Sequence, residues 1–342
     1  VKKSAKPRAH SSRAVRVVAL GGGTGLSTIL RGLKHHIAES SKAPGRSPIS
    51  DLTAVVAVSD DGGSSGRLRR EYRVLPPGDI RNCMVALSTD EPLLANLFQY
   101  RFPTGRGLEG HSFGNLFLTA LTNVTGDFSH AVQVSSQVLA IRGRIFPSTE
   151  QNVTLEAELE DGTIVAGETK ISRSRKRIKR IRLRPRLVKP ARQALEALRR
   201  ADLILVGPGS LYTSLIPNLL LQDVVEVIAN SSATRIYIAN LMTQPGETSH
   251  YTVADHVRAI YDHAARRLFD YAIINRAPIS PGLLRRYRAE GAEPVKPSLA
   301  ELGRMGIKCI EANLLQQDKV VRHDQEALAR LLLDRFVKAR PQ

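Results

Sequence analysis

The stretch Val15-Arg16-Val17-Val18-Ala19-Leu20-Gly21-Gly22-Gly23-Thr24-Gly25-Leu26-Ser27-Thr28-Ile29-Leu30-Arg31-Gly32-Leu33 decides the fold. It opens with a valine-rich apolar run, the pattern of a strand buried on both faces. The glycines that follow cannot extend that strand, because they favour a sharp turn and positive φ. Leu26, Ile29, Leu30 and Leu33 then recur at helical spacing and share one face. Strand, glycine turn and helix make the first half of a nucleotide-binding unit. Bare N–H groups at the helix start can hold a phosphate, and glycine lets it come close. The spacing departs from two known fingerprints. Thr28 stands where G-x-G-x-x-G requires a glycine, and no Gly-Lys-Ser/Thr follows as in a P-loop. A plain tight connection uses the same residues, so this turn alone leaves both readings open. Its candidate phosphate contacts are Gly22, Gly23, Thr24 and Gly25.

Further along, the same grammar repeats. A second strand is predicted over Leu52–Val58, ending in Ser59-Asp60-Asp61-Gly62-Gly63-Ser64-Ser65-Gly66-Arg67. An acid at that point suits a ribose hydroxyl, and paired Asp60 and Asp61 suit Mg²⁺ through oxygen ligands. Gly63, Ser64 and Ser65 offer amide and hydroxyl donors to phosphate. The bland alternative is a polar loop that caps a helix. Pro76-Pro77-Gly78-Asp79-Ile80-Arg81-Asn82 reads as a rigid loop entering a helix, with Asp79 as its N-cap. Asp202–Val206 is a buried strand ending in Gly207-Pro208-Gly209-Ser210. Arg235–Ala239 ends at Asn240, and Tyr271–Ile274 ends at Asn275. One such turn means little. Several along one edge of a parallel sheet make a long polar cleft, where open α/β sheets take their ligands.

Gly110-His111-Ser112-Phe113-Gly114 matches G-x-S-x-G, the nucleophile elbow of hydrolases. The elbow needs an apolar strand before it, and Pro103–Glu109 cannot supply one. A helix start carrying His111, Ser112 and Asn115 is better suited to an anion.

The chain has 342 residues, enough for a large core, and carries a formal charge of +18. The charge is concentrated. Five cations lie in residues 1–13, and nine lie between Arg173 and Arg186, with no acid among them. The first thirteen residues are polar and aperiodic, the composition of a disordered tail. Over 145–187 the pattern changes to alternation: Val153, Leu155, Ala157 and Leu159 interleave with Thr154, Glu156, Glu158 and Glu160. Asp161-Gly162 signals a hairpin. A small antiparallel insert is expected, its acidic strand paired against its basic one. The basic edge could also contact an acidic partner. Little aromatic interleaving there argues against nucleic acid. No apolar run is long enough to span a membrane, and the basic first residues, with no apolar core behind them, do not read as a secretory signal. Cys83 and Cys309 have no metal-ligand spacing and fit a reducing cytosol. The expected organisation is a basic tail over 1–14, an α/β domain over 15–144 and 188–342, and the insert over 145–187.

The strings Leu20–Gly25, Ser59–Arg69, Pro76–Asn82, Gly110–Asn115, Gly207–Ser214 and Met242–Thr248 resemble the YvcK-type gluconeogenesis factors, relatives of the 2-phospho-L-lactate transferase CofD. The resemblance runs from about Val15 to about Asp324. It implies a CofD-like, Rossmann-related three-layer α/β/α fold with a mostly parallel sheet. It implies a cytoplasmic bacterial protein that binds a UDP-sugar such as UDP-N-acetylglucosamine, or an NAD-type dinucleotide. It further implies a role in cell shape and wall synthesis during gluconeogenic growth, with a protein partner in wall synthesis. By the same resemblance, the glycine turn and Gly207, Gly209 and Ser210 face phosphates. Asp60, Asp61 and Asn82 lie near the nucleotide or a metal, and Tyr287 and Arg322 contact the sugar nucleotide. Arg322 could clamp a diphosphate through its fork. The transferase branch carries an Asp-rich motif where this chain has Pro76–Asn82, which argues against lactyl-phosphate transfer. No nucleophile or base stands out, so a regulatory binding protein is favoured. The alternative is a Mg²⁺-dependent phosphoryl or nucleotidyl transferase working at Asp60 and Asp61. Either is compatible with an oligomer.

Overall fold

A computed structural model describes residues 14–38, 48–89 and 92–338. The expected basic tail, except Ala14, lies outside them. The strands, in chain order, are β1 (Val15–Gly21), β2 (Ile49–Val56), β3 (Arg144–Pro147), β4 (Thr154–Leu159), β5 (Ile164–Ala166), β6 (Ile178–Arg184), β7 (Leu203–Val206), β8 (Thr234–Ile238), β9 (Tyr271–Asn275), β10 (Lys308–Ala312), β11 (Leu315–Gln317) and β12 (Val321–His323). Seven of them form one parallel sheet in the order β10-β9-β8-β7-β1-β2-β3.

That order places the site. From β1 the chain moves outward to β2 and β3, then returns to the other side of β1 and lays down β7 to β10. The direction reverses between β1 and β7. In such sheets the loops leaving the two strands diverge at the reversal and open a crevice at their carboxyl ends. The glycine turn after β1 and the turn after β7 are the walls of that crevice.

Burial explains why these segments became strands. β7 is buried at every residue, and β1 at all but Arg16. Both read as uninterrupted apolar runs because they lie inside a covered parallel sheet. Register is pinned at the opposite, amino-terminal edge. Asp202 accepts hydrogen bonds from the Arg16 backbone N–H and from its guanidinium, each at 2.9 Å. Asp270 does the same for Arg235 at 2.9 and 3.0 Å.

The helix α1 (Gly23–Leu33) buries Leu26, Ile29, Leu30 and Leu33, as its spacing predicts. It packs against α3 (Gly78–Leu87) and the helix Gln325–Leu332. A second group of helices, Arg192–Arg200 and Gln222–Ala229, packs together elsewhere on the sheet. Among the described residues, no single helix is long and apolar enough to cross a membrane.

The antiparallel insert is a three-stranded sheet in the order β5-β4-β6. Glu156 stands opposite Arg182 and Glu158 opposite Arg180, and Lys179, Arg182 and Arg184 pair with Glu158 or Glu156. The acidic strand thus neutralises part of the basic one. The expected boundary at 145 falls inside β3, which pairs with β2 as the edge of the main sheet. The four-residue β3 is too short to announce its allegiance in sequence, and the antiparallel pairing itself starts at Thr154.

Candidate functional site

Two polar hollows along the carboxyl edge of the sheet gather most of the residues singled out from sequence. The first, about 320 Å³, lies at the reversal and is lined by Thr24, Gly25 and Thr28, by Pro208 to Ser210, by Asn240 to Gln244, and by Tyr287, Val321, Arg322 and His323. Its walls touch. A Cβ on Gly25 would lie 2.3 Å from the Pro208 carbonyl oxygen, so glycine is what lets the two turns meet. Asn240 locks the second turn from both sides: its Oδ1 accepts from Gly209 N–H at 3.0 Å, and its Nδ2 donates to the Gly209 carbonyl at 2.8 Å. Ser210 N-caps the following helical turn and donates to Glu247 at 2.6 Å.

Among the described residues, no carboxylate lines this hollow. Arg322 sits on β12 and, among the described residues, has no ion-pair partner. His323 beside it is buried, with its Nε2 unpartnered, and burial pushes it down to about 4, so it is neutral at physiological pH. Tyr287 is turned to the same rim, but its hydroxyl accepts the Val321 N–H at 3.0 Å. It therefore holds the strand that carries Arg322. The arrangement is one guanidinium, the exposed Thr24 and a helix N-terminus around a space whose described lining has no carboxylate. It suits a compact anion with several oxygens.

The second hollow, about 230 Å³, is lined by Asp60, by Gly62 to Ser65, by Gly78, Asp79, Arg81 and Asn82, and by Arg101 and Asn115. Here two acids, Asp60 and Asp79, share the lining with two arginines, Arg81 and Arg101. Asp60 accepts from Gly62 N–H at 2.8 Å, yet burial, reinforced by Asp61, raises it above the ordinary carboxylate range. Asp79 does not cap its helix as expected. The N-cap of α3 is Pro77, and Asp79 lies in the first turn. Its carboxylate lies against Gly22 of the glycine turn, and burial, then the Asp60 charge, push it up to about 6. A Cβ on Gly22 would lie 2.6 Å from Asp79 Oδ2. The glycine turn is therefore a shared wall, with Gly25 facing the first hollow and Gly22 resting on the acid of the second.

The residues singled out from sequence divide between these spaces. Thr24, Gly25, Gly209, Ser210, Asn240, Tyr287 and Arg322 line the first; Asp60, Gly63, Ser64, Ser65, Asn82 and Asn115 line the second. Gly22, Gly23, Gly207 and His111 line neither. Gly207 has φ +85° and packs on the Ile238 carbonyl. His111 is buried and bonded to Ser64 Oγ at 2.9 Å, which fixes the start of α2 (Gly63–Tyr72). Ser112 of the false nucleophile elbow is fully buried, caps Phe113–Thr125 and accepts from Arg81 at 2.5 Å.

Asp61 departs most from the expected metal pair. Its Oδ1 accepts both the backbone N–H and the hydroxyl of Thr169 at 2.8 Å. It holds the insert helix Glu168–Arg173 and does not line the hollow with Asp60. Among the described residues, no group of three or more His, Cys, Asp or Glu is placed to hold a metal ion. Asp60 and Asp79 fit Mg²⁺ only as a pair completed by phosphate oxygens and water, a donor set this ion accepts.

Sequence reasoning missed Glu168, Glu247, Arg81 and Thr28. Glu247 is buried and accepts from Ser210 and Ser172, joining the second turn to the insert. Glu168 is pushed up to about 9, chiefly by burial and then by Asp60 and Asp79. Nothing local marks either glutamate; their environment comes from segments far away in the chain. Thr28 could have been found, since it lies one helical turn after Thr24.

The family model of the 2-phospho-L-lactate transferase CofD matches residues 17–315. The gluconeogenesis factor of Bacillus subtilis strain 168 is 47% identical over 320 residues, covering 93% of this chain and 97% of that protein. The gluconeogenesis factor of Halalkalibacterium halodurans is 47% identical over 319 residues, covering 93% and 95%. A crystal structure of a UPF0052-family protein from Bacillus halodurans superposes with a TM-score of 0.87 at 46% identity, covering 94% of this chain and 99% of that one. The sheet reversal, the paired glycine turns and these matches agree: the chain belongs to the CofD family, among its gluconeogenesis factors of the YvcK or UPF0052 type.

Proposed function

We propose that the chain binds a nucleoside-diphosphate compound, a UDP-sugar in the first instance, with the diphosphate in the first hollow. The observation that carries this is the meeting of two glycine turns around a space whose described lining has no carboxylate, with Arg322 on its far rim. The reading is of a cytoplasmic regulator that reports sugar-nucleotide supply during gluconeogenic growth and acts on cell shape and wall synthesis through a protein partner. Titration calorimetry with UDP-N-acetylglucosamine tests it. Saturable binding that Arg322→Ala weakens supports the reading, and no heat with UDP-N-acetylglucosamine, UDP or NAD sinks it.

A second reading rests on Asp79. Its buried carboxyl rests against the phosphate-facing turn and shares the second hollow with Asp60, a pair that phosphate oxygens and water can complete into a Mg²⁺ site. Under that reading the chain is a Mg²⁺-dependent transferase, and the ion is held by Asp60 and Asp79 together with the nucleotide. Slow hydrolysis of UDP-N-acetylglucosamine with Mg²⁺, water standing in for the acceptor, abolished by Asp79→Asn with binding intact, would favour the transferase. Binding without turnover favours the regulator.

A further inference from the structure

A third hollow, about 270 Å³, begins where the first ends. The two share Asn240 and Leu241. Its character is different. Beyond Asn240 the walls are Leu241, Ile274, Pro278, Ile279, Leu284 and Val295, with no charged residue in the lining. Only two side chains there can hydrogen-bond, and both are engaged. Asn240 is committed to Gly209. Asn275 Oδ1 accepts from Ala277 and Leu314 N–H at 3.1 and 3.0 Å, and its Nδ2 donates to the Ala277 carbonyl at 2.9 Å.

Resting on the nucleotide reading above, we propose that this apolar slot receives the ligand's heteroaromatic base, while the diphosphate occupies the polar hollow beside it. An apolar slot next to an anion site matches a molecule that is flat and weakly polar at one end and charged at the other. Ile279 and Leu284 approach from the loop after β9 and from the helix Pro281–Ala289. Tyr287 lies one helical turn beyond Leu284, so the same helix serves both compartments. Because the slot's side-chain amides are already engaged, its side chains read the shape of the base and not its hydrogen-bonding edge. An apolar pocket discriminates related groups by roughly tenfold to a few hundredfold, whereas a site built to hydrogen-bond them reaches ten-thousandfold. UDP and ADP are therefore expected to bind within about tenfold of each other.

The test uses the full chain and three probes: pyrophosphate, UDP and ADP. Wild-type protein is expected to bind both nucleotides at least about tenfold tighter than pyrophosphate, the margin that burying one ring's apolar surface supplies. Leu284→Asp should erase that margin and leave pyrophosphate affinity within about twofold. The helix Pro281–Ala289 has no fully buried residue, so the change leaves the core intact, and a melting curve checks this. Ile279→Trp, which fills the slot, should do the same from the opposite wall. If UDP and pyrophosphate bind equally to the wild type, or if both variants keep the wild-type margin between them, the slot assignment falls while the anion site stands. If pyrophosphate and both nucleotides fail to bind, the nucleotide reading falls and the slot with it. A preference of a thousandfold or more between UDP and ADP would overturn the claim that shape alone is read.

Discussion

The first and second hollows open on the same edge of one sheet and share the glycine turn after β1, yet their chemistry differs. One carries Arg322 and no carboxylate among the described residues; the other sets Asp60 and Asp79, both above the ordinary carboxylate range, beside Arg81 and Arg101. The turn's two ends explain the split. Gly25 is pressed against Pro208 and leaves the Thr24 side open, whereas Gly22 meets the Asp79 carboxylate. A single turn can therefore present amide hydrogens to an anion on one side and be held by an acid on the other. The comparison teaches that a glycine-rich turn is a partition as much as a cradle, and that the charge on either side of it is set by distant segments.

The sharpest way to break the comparison is at the partition. In Gly25→Ala the new Cβ falls 2.3 Å from the Pro208 carbonyl, a clash that only backbone movement relieves. Overpacking of this kind costs about 1–3 kcal/mol, and the displaced turn should abolish ligand binding in the first hollow. A melting curve and a titration with UDP-N-acetylglucosamine measure both. Next comes Arg322→Ala, which leaves the turns alone. Losing one charge-assisted contact to an anion costs about 1.5–3 kcal/mol, or tenfold to a hundredfold in affinity. Tyr287→Phe should cost less, because its hydroxyl serves the Val321 N–H.

The glycine turn, the strand ends and the carboxyl-edge cleft were legible because each is written in a few adjacent residues. Leu26, Ile29, Leu30 and Leu33 announce a buried face by spacing alone, and Glu156 and Glu158 announce partners for a basic strand. The division of the cleft was not legible. Whether Asp60 and Asp61 share a space depends on Thr169, more than a hundred residues away. Asp79 reads locally as a cap, and only packing of α3 against α1 aims it at Gly22. β3 was missed because four residues of edge strand carry too short a pattern to separate from the insert that follows.

A smaller effect sharpens the electrostatic side. An anion in the first hollow lies near Asp79 and disfavours its ionised form. Protonated Asp79 should therefore favour binding, and affinity should fall as pH rises through about 6, by a few-fold. UDP-N-acetylglucosamine is the right probe, because its diphosphate is a diester with no ionisation of its own in that range. Asp79→Asn should flatten the profile at the high-affinity level. A profile that keeps its slope in the variant would mean that the two sides of the turn are electrostatically independent.

The smallest effect separates the two adjacent acids. Asp60 faces the second hollow, whereas Asp61 holds the insert helix by the N–H and hydroxyl of Thr169, and Gly167, at φ +99°, leaves room for its carboxylate. Asp61→Ala removes one acceptor shared by two donors that water can reach, because Thr169 is only half-buried. The expected loss is about 1 kcal/mol, confined to the start of Glu168–Arg173. Faster amide exchange at Thr169 and Lys170, with nucleotide affinity within about twofold of wild type, is the expected pattern. If affinity instead fell tenfold with exchange unchanged, Asp61 would be serving the ligand directly. The separation of the acids into one that shapes the hollow and one that anchors the insert would then be lost.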